Sequence, residues 1–172
     1  TIYDLAYVNG QATMPTKSTY SWYKSFVASE IEKKKLILKR SNVKFWVTEG
    51  YEQPPSEMNL GGIKKVKVFK DALPRAFLVG DSITMPEEQL LIFYFDSRFD
   101  PLKQVLLTKS VPVKKTENFS GQVEELRYPP NGVNIKTSQN GEGFLVLLDT
   151  FFPGWQVTVD GTPKLIYRAN SF

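Results

Sequence analysis

Residues 144–168 constrain this chain more tightly than any other stretch. Phe144 to Leu148 is an unbroken apolar run, the pattern of a short strand buried on both faces. Asp149 and Thr150 end it. Pro153-Gly154 forms a turn: proline presets φ at the first central position and glycine accepts positive φ at the second. Trp155 to Val159 then alternates, with Trp155, Val157 and Val159 on one face and Gln156 and Thr158 on the other. Asp160-Gly161 is a hairpin signal, and Leu165 to Arg168 reads as the return strand. The stretch thus encodes three strands and two tight turns. Burial of Trp155 in the core is expected to contribute about 2–3 kcal/mol, with its indole N–H seeking a partner.

The remainder of the chain divides into a helical lead, residues 1–42, and a mainly β domain, 43–172. Thr16 or Ser18 caps a helix through Trp22 and Phe26 towards Ile31 and on to about Leu38, with Glu30 and Lys34 as an i,i+4 pair. Ser41-Asn42 breaks it. Val43–Thr48, Ile63–Phe69 and Pro74–Val79 read as strands, and Glu49–Gly62 as a long loop or lid. Thr84 before Pro86-Glu87-Glu88 starts a helix ending near Phe95: proline lies in the first turn and acids sit at the positive end of the dipole. Gln104–Thr108 is a strand and Lys109–Phe119 a polar linker. From residue 121, strands at Val123–Tyr128, Val133–Thr137 and Phe144–Leu148 recur at a spacing typical of a meander or sandwich. The expected fold is therefore α+β: a mainly antiparallel, β-sandwich-like domain with an N-terminal helical lead and one inserted helix.

Composition narrows the chemistry. The 172 residues contain no histidine and no cysteine. The Ser–His and Cys–His pairs and the commonest zinc ligands are therefore lacking. Asp81, Asp96 and Asp100 do not have the spacing of a calcium loop. No cofactor, metal or catalytic constellation is expected in this segment. The net charge is +4, with lysines densest at Lys33-Lys34-Lys35 and at Lys64, Lys65, Lys67 and Lys70. Such runs contact anionic headgroups or wall polymers, or form a solvated helix face and a charged strand edge; the second use is the commoner. Nothing accompanies them that reads nucleic acid. No apolar run reaches the length of a membrane span.

The string Leu-Leu-Asp-Thr-Phe-Phe-Pro-Gly-Trp at 147–155, followed by Val159-Asp160-Gly161 and Tyr167-Arg168-Ala169-Asn170, resembles the YfhO-type family of bacterial multi-pass membrane proteins. Ser41-Asn42-Val43-Lys44-Phe45 and Leu73-Pro74-Arg75-Ala76 resemble two earlier strands of that family, in the same order. The resemblance spans about residues 40–172. It implies the C-terminal extracytoplasmic domain of a GT-C-like glycosyltransferase, which moves sugar from a polyprenyl-phosphate carrier to envelope polymers such as teichoic acid. By the same resemblance the catalytic acid lies in an early loop outside this segment. Its partners are then the membrane helices of the parent chain and a cell-wall glycopolymer or lipid-linked sugar. Its location is the extracytoplasmic face of the cell membrane. The family pattern continues beyond the Ala-Asn pair, so one or two final strands are expected to lie beyond Phe172.

Six residues stand out as candidates for binding: Asp149, Phe151, Phe152, Trp155, Arg168 and Asn170. A carboxylate at Asp149 can take a sugar hydroxyl or act as acid or base, or it can cap a turn; capping is the ordinary use. Trp155 with Phe151 and Phe152 can stack on a saccharide ring or pack in the core, and for Trp155 the core is the expectation. Phe151 and Phe152 are adjacent, so only one of them can face inward. Arg75 and Arg168 need partners, with Asp149, Asp160 or a glutamate the expected ones. The rival to an accessory transferase domain is a non-catalytic β-sandwich, structural, adhesive or carbohydrate-binding. A carboxylate glycosidase would require two acids facing each other about 5–9 Å apart.

Overall fold

The computed structural model describes residues 17–48, 57–60, 64–151 and 153–170. It is α+β and divides into two units, Thr1–Leu73 and Pro74–Phe172.

The first unit contains two helices, α1 (Lys17–Ala28) and α2 (Ile31–Arg40), where the sequence suggested one. The break has a local cause. Ser29 Oγ donates to the Ser25 carbonyl at 2.5 Å, which offers the backbone an alternative to helix. Glu30 is then extended (ψ 162°) and starts α2 as its N-cap. The expected side-chain pair is replaced accordingly: the Glu30 carbonyl accepts from the Lys34 N–H, and the Lys34 ammonium lies over the Phe26 ring. Trp22 and Phe26, one turn apart, stack at 5.4 Å and face inward. The Trp22 indole donates to Ser41 Oγ, which donates to the Ile37 carbonyl. Asn42, at φ 60°, closes α2 and donates its side-chain amide to the Leu73 carbonyl. Asparagine tolerates that left-handed conformation better than most residues.

Three strands follow, β1 (Phe45–Thr48), β2 (Glu57–Leu60) and β3 (Lys64–Val68), arranged β1-β3-β2 and antiparallel throughout. β2 lies inside the segment expected to be loop. Prolines before it and glycines after it conceal a short strand that a neighbour's ladder stabilises.

The second unit pairs β4 (Ala76–Val79) antiparallel with β9 (Phe144–Leu147), and β7 (Gly121–Arg127) with β8 (Asn134–Gln139) across a bulge between Val123 and Glu125. One pair is parallel: β5 (Asp81–Thr84) with β6 (Gln104–Leu107), joined through α3 (Glu87–Tyr94). β5 is not legible in the sequence, because Asp81 and Ser82 carry little strand signal and its partner is remote in sequence. The inserted helix agrees with expectation, with Pro86 as N-cap and Glu87 and Glu88 in the first turn. Leu90, Tyr94, Val105, Leu106 and Leu107 form a fully buried core, and Phe95 and Phe99 pack on the Tyr94 ring.

The last hairpin joins β10 (Val157–Val159) to β11 (Thr162–Lys164) through Asp160 (φ 50°) and Gly161 (φ 76°). Positive φ at both central residues is the type I′ geometry that an Asp-Gly pair favours. The return strand begins three residues earlier than expected, and 165–168 is irregular. Two burial expectations fail here. Leu145 on β9 is exposed, whereas Val146 is buried. Trp155 is 45 % exposed instead of buried, because β10 starts only at Val157 and the tryptophan lies between the Pro153-Gly154 turn and that strand.

Candidate functional site

Arg75 leads into β4 and Asp149 follows β9. The antiparallel register, Ala76 opposite Leu147, brings them to the same end of the pair. One further backbone bond, from the Leu148 N–H to the Arg75 carbonyl at 2.9 Å, fixes their approach. The Arg75 guanidinium forms an ion pair with Asp149 Oδ1. Tyr128, just beyond β7, closes the cluster: its hydroxyl accepts from Arg75 Nε at 3.3 Å and donates towards Asp149 Oδ2 at 3.5 Å. The Asp149 side chain is 18 % exposed and that of Arg75 35 %. The carboxylate is largely removed from water and neutralised by the cation beside it. The cluster makes a polar rim, with Tyr128 half exposed to solvent.

The chain leaves this rim along exposed aromatics. Phe151 is 37 % exposed, and Gly154 (φ 103°) turns the backbone so that Trp155 also faces water. Phe152 lies outside the described residues. Val159, Leu165, Ile166 and Tyr167 continue the apolar exposure, and an open groove of about 410 Å³ is lined by Pro163, Lys164, Leu165 and Tyr167.

Arg168 and Asn170 are committed elsewhere. Arg168 pairs with Glu87 in the first turn of α3 at 2.7 Å. Asn170 is buried and hydrogen-bonded to Leu106 on β6, beside a bridge between Ala169 and Leu107. The five described candidates therefore do not converge on one pocket. Asp149 joins Arg75 and Tyr128; Phe151 and Trp155 are each partly exposed; Arg168 ties the chain to α3 and Asn170 ties it to β6. Both arginines meet partners of the expected kind, Asp149 for Arg75 and a glutamate for Arg168.

Two features were invisible in the sequence. Tyr128 carried only one clue, its place before Pro129-Pro130 at a strand end. A polar groove of about 390 Å³ involves Asp81, Lys103, Lys115, Thr116, Phe119 and Ser120. Lys115 and Thr116 come from the stretch read as linker, and no spacing links them to Asp81. Phe119 sits against the backbone of Gly80 and Gly143, where a Cβ would approach its ring to 2.5 and 2.6 Å respectively.

Among the described residues no three Asp or Glu side chains gather as a metal site, and no helix is long and apolar enough to cross a membrane. Comparison of the chain with protein-family models, with curated proteins and with solved structures finds no match.

Proposed function

We propose that this chain is an extracytoplasmic accessory domain of a polytopic membrane glycosyltransferase, and that it engages the envelope glycopolymer accepting the sugar. The observation that carries this reading is the exposure of Trp155 and Phe151 on a turn held by Gly154. A half-exposed indole, with a second exposed ring four residues earlier in the chain, offers a flat apolar surface on which a sugar ring stacks, and polar groups supply orientation. In this reading Trp155 and Phe151 provide the platform. The Arg75–Tyr128–Asp149 cluster holds the rim rigid and presents the Tyr128 hydroxyl. Arg168 and Asn170 act structurally. The transfer chemistry belongs to the membrane part of the parent protein.

A specific observation favours the second reading, a structural module. The charged candidates are satisfied internally, Arg75 by Asp149 and Arg168 by Glu87. Titration with teichoic-acid and peptidoglycan oligomers separates the two readings, with the Trp155 indole N–H followed by NMR and Trp155→Ala as control. Saturable shifts at Trp155 that vanish in the control support acceptor binding. No shift up to millimolar ligand supports the structural module.

A further inference from the structure

α1 carries apolar residues on two faces. Trp22 and Phe26 face inward, and Trp22 is only 5 % exposed. About a third of a turn round the helix, Tyr20, Tyr23 and Val27 follow at i, i+3 and i+7 and make a second stripe, each about half exposed. A soluble helix needs one apolar stripe facing its core, and a second one left in water is unfavourable by the area it exposes. Lys24 flanks this stripe, its ammonium 5.0 Å from the centre of the Tyr20 ring.

The surrounding charge is one-sided. Residues 1–73 hold twelve Lys and Arg against seven Asp and Glu, whereas residues 74–172 hold ten against eleven. The whole positive excess of the chain thus lies in the unit that contains the stripe. Lys24 on α1 and Lys33 on α2 are both exposed.

We infer that the outer face of α1 docks on an anionic lipid bilayer surface. Tyrosine rings with apolar bodies and polar tips suit the headgroup boundary, and Val27 would enter the acyl edge. Lysines flanking such a stripe are attracted to acidic headgroups. A hydrophilic polyanion would satisfy the lysines but leave the stripe in water. A second copy of the unit would cover the stripe but oppose like charge with like. This inference is independent of the glycopolymer reading, which concerns Trp155 in the other unit.

The test is flotation of the whole chain with vesicles of phosphatidylcholine plus phosphatidylglycerol, against phosphatidylcholine alone. Binding is expected only to the anionic vesicles, falling as salt is raised. Lys24→Gln and Lys33→Gln should each weaken it roughly fivefold, and Tyr20→Ser with Tyr23→Ser roughly tenfold. These side chains are exposed, and an unchanged Trp22 indole N–H resonance by NMR verifies folding. Equal binding to neutral vesicles, no binding to anionic ones, or binding indifferent to both sets of substitutions overturns the inference. So does lipid-independent dimerisation that Tyr20→Ser with Tyr23→Ser abolishes.

Discussion

Asn170 and Leu106 exchange two hydrogen bonds: the Asn170 side-chain oxygen accepts the Leu106 N–H at 2.9 Å, and the Asn170 N–H donates to the Leu106 carbonyl at 3.0 Å. A single residue thus pairs with the backbone of β6, whose other neighbour is β5, and it does so at φ 53°. Asn170→Ala leaves a buried N–H without its acceptor and puts alanine in the left-handed region. The expected loss is about 2–3 kcal/mol. Urea unfolding measures it, and amide exchange at Leu106 should accelerate. Asn170→Gly keeps the conformation and loses the side-chain bond, so it should fall between the two.

Arg75→Ala removes the cation from a largely buried carboxylate and one bond from Tyr128. The expected destabilisation is about 2 kcal/mol, below that of a fully buried pair because the arginine is partly exposed. Asp149→Asn should be milder, since the amide oxygen still accepts from the guanidinium. Equal unfolding midpoints for Arg75→Ala and wild type would show that the ion pair does not hold the ends of β4 and β9.

Two glycines give an internal contrast. At Gly143 an added Cβ would lie 2.6 Å from the Phe119 ring and 2.7 Å from the Val79 carbonyl oxygen, and that backbone oxygen cannot easily yield. Gly143→Ala should cost about 1–3 kcal/mol by overpacking. At Gly132 the nearest atom is Pro129 Cγ at 3.9 Å, so Gly132→Ala should be neutral or slightly stabilising. Thermal unfolding of the two variants side by side decides.

Lys39 bonds Asp71 at 2.6 Å, and this hydrogen bond holds the Asp71 carboxyl below its ordinary value of 3.8 against a smaller opposing effect of burial. Because folding lowers this pKa, the pair stabilises the first unit above that ordinary value. The contribution is lost as pH falls through the lower folded value. The pair is mostly exposed and its effect on stability is small. NMR titration should show Asp71 moving up towards 3.8 in Lys39→Gln, and an unmoved titration would rule out the pairing.

Local chemistry made several elements readable. Asp160-Gly161 specifies a two-residue hairpin because few other pairs accept positive φ twice, and Pro86-Glu87-Glu88 announces α3 through the needs of a helix start. Apolar runs marked β4, β6 and β9. The sequence reads as one continuous helix because Ser29-Glu30 is a weak breaker; only the Ser29 bond to the Ser25 carbonyl and the extended Glu30 reveal two helices. Among the candidate residues, the need of each arginine for a partner was legible, but the convergence of Arg75, Tyr128 and Asp149 from three strand ends was not.

What the sequence determined by itself is therefore the chemistry of short range: the turns, the helix start, the alternation of strands, and the lack of any histidine or cysteine for catalysis. Backbone sterics and local hydrogen bonding act over a few residues, and a residue's neighbours suffice to state them. What only the tertiary structure decided is which surfaces are covered. Trp155 stays half exposed because β10 begins only at Val157, and Asn170 lies in the core because β6 has an edge for it to fill. Burial depends on elements far apart in the chain, and no local pattern encodes it.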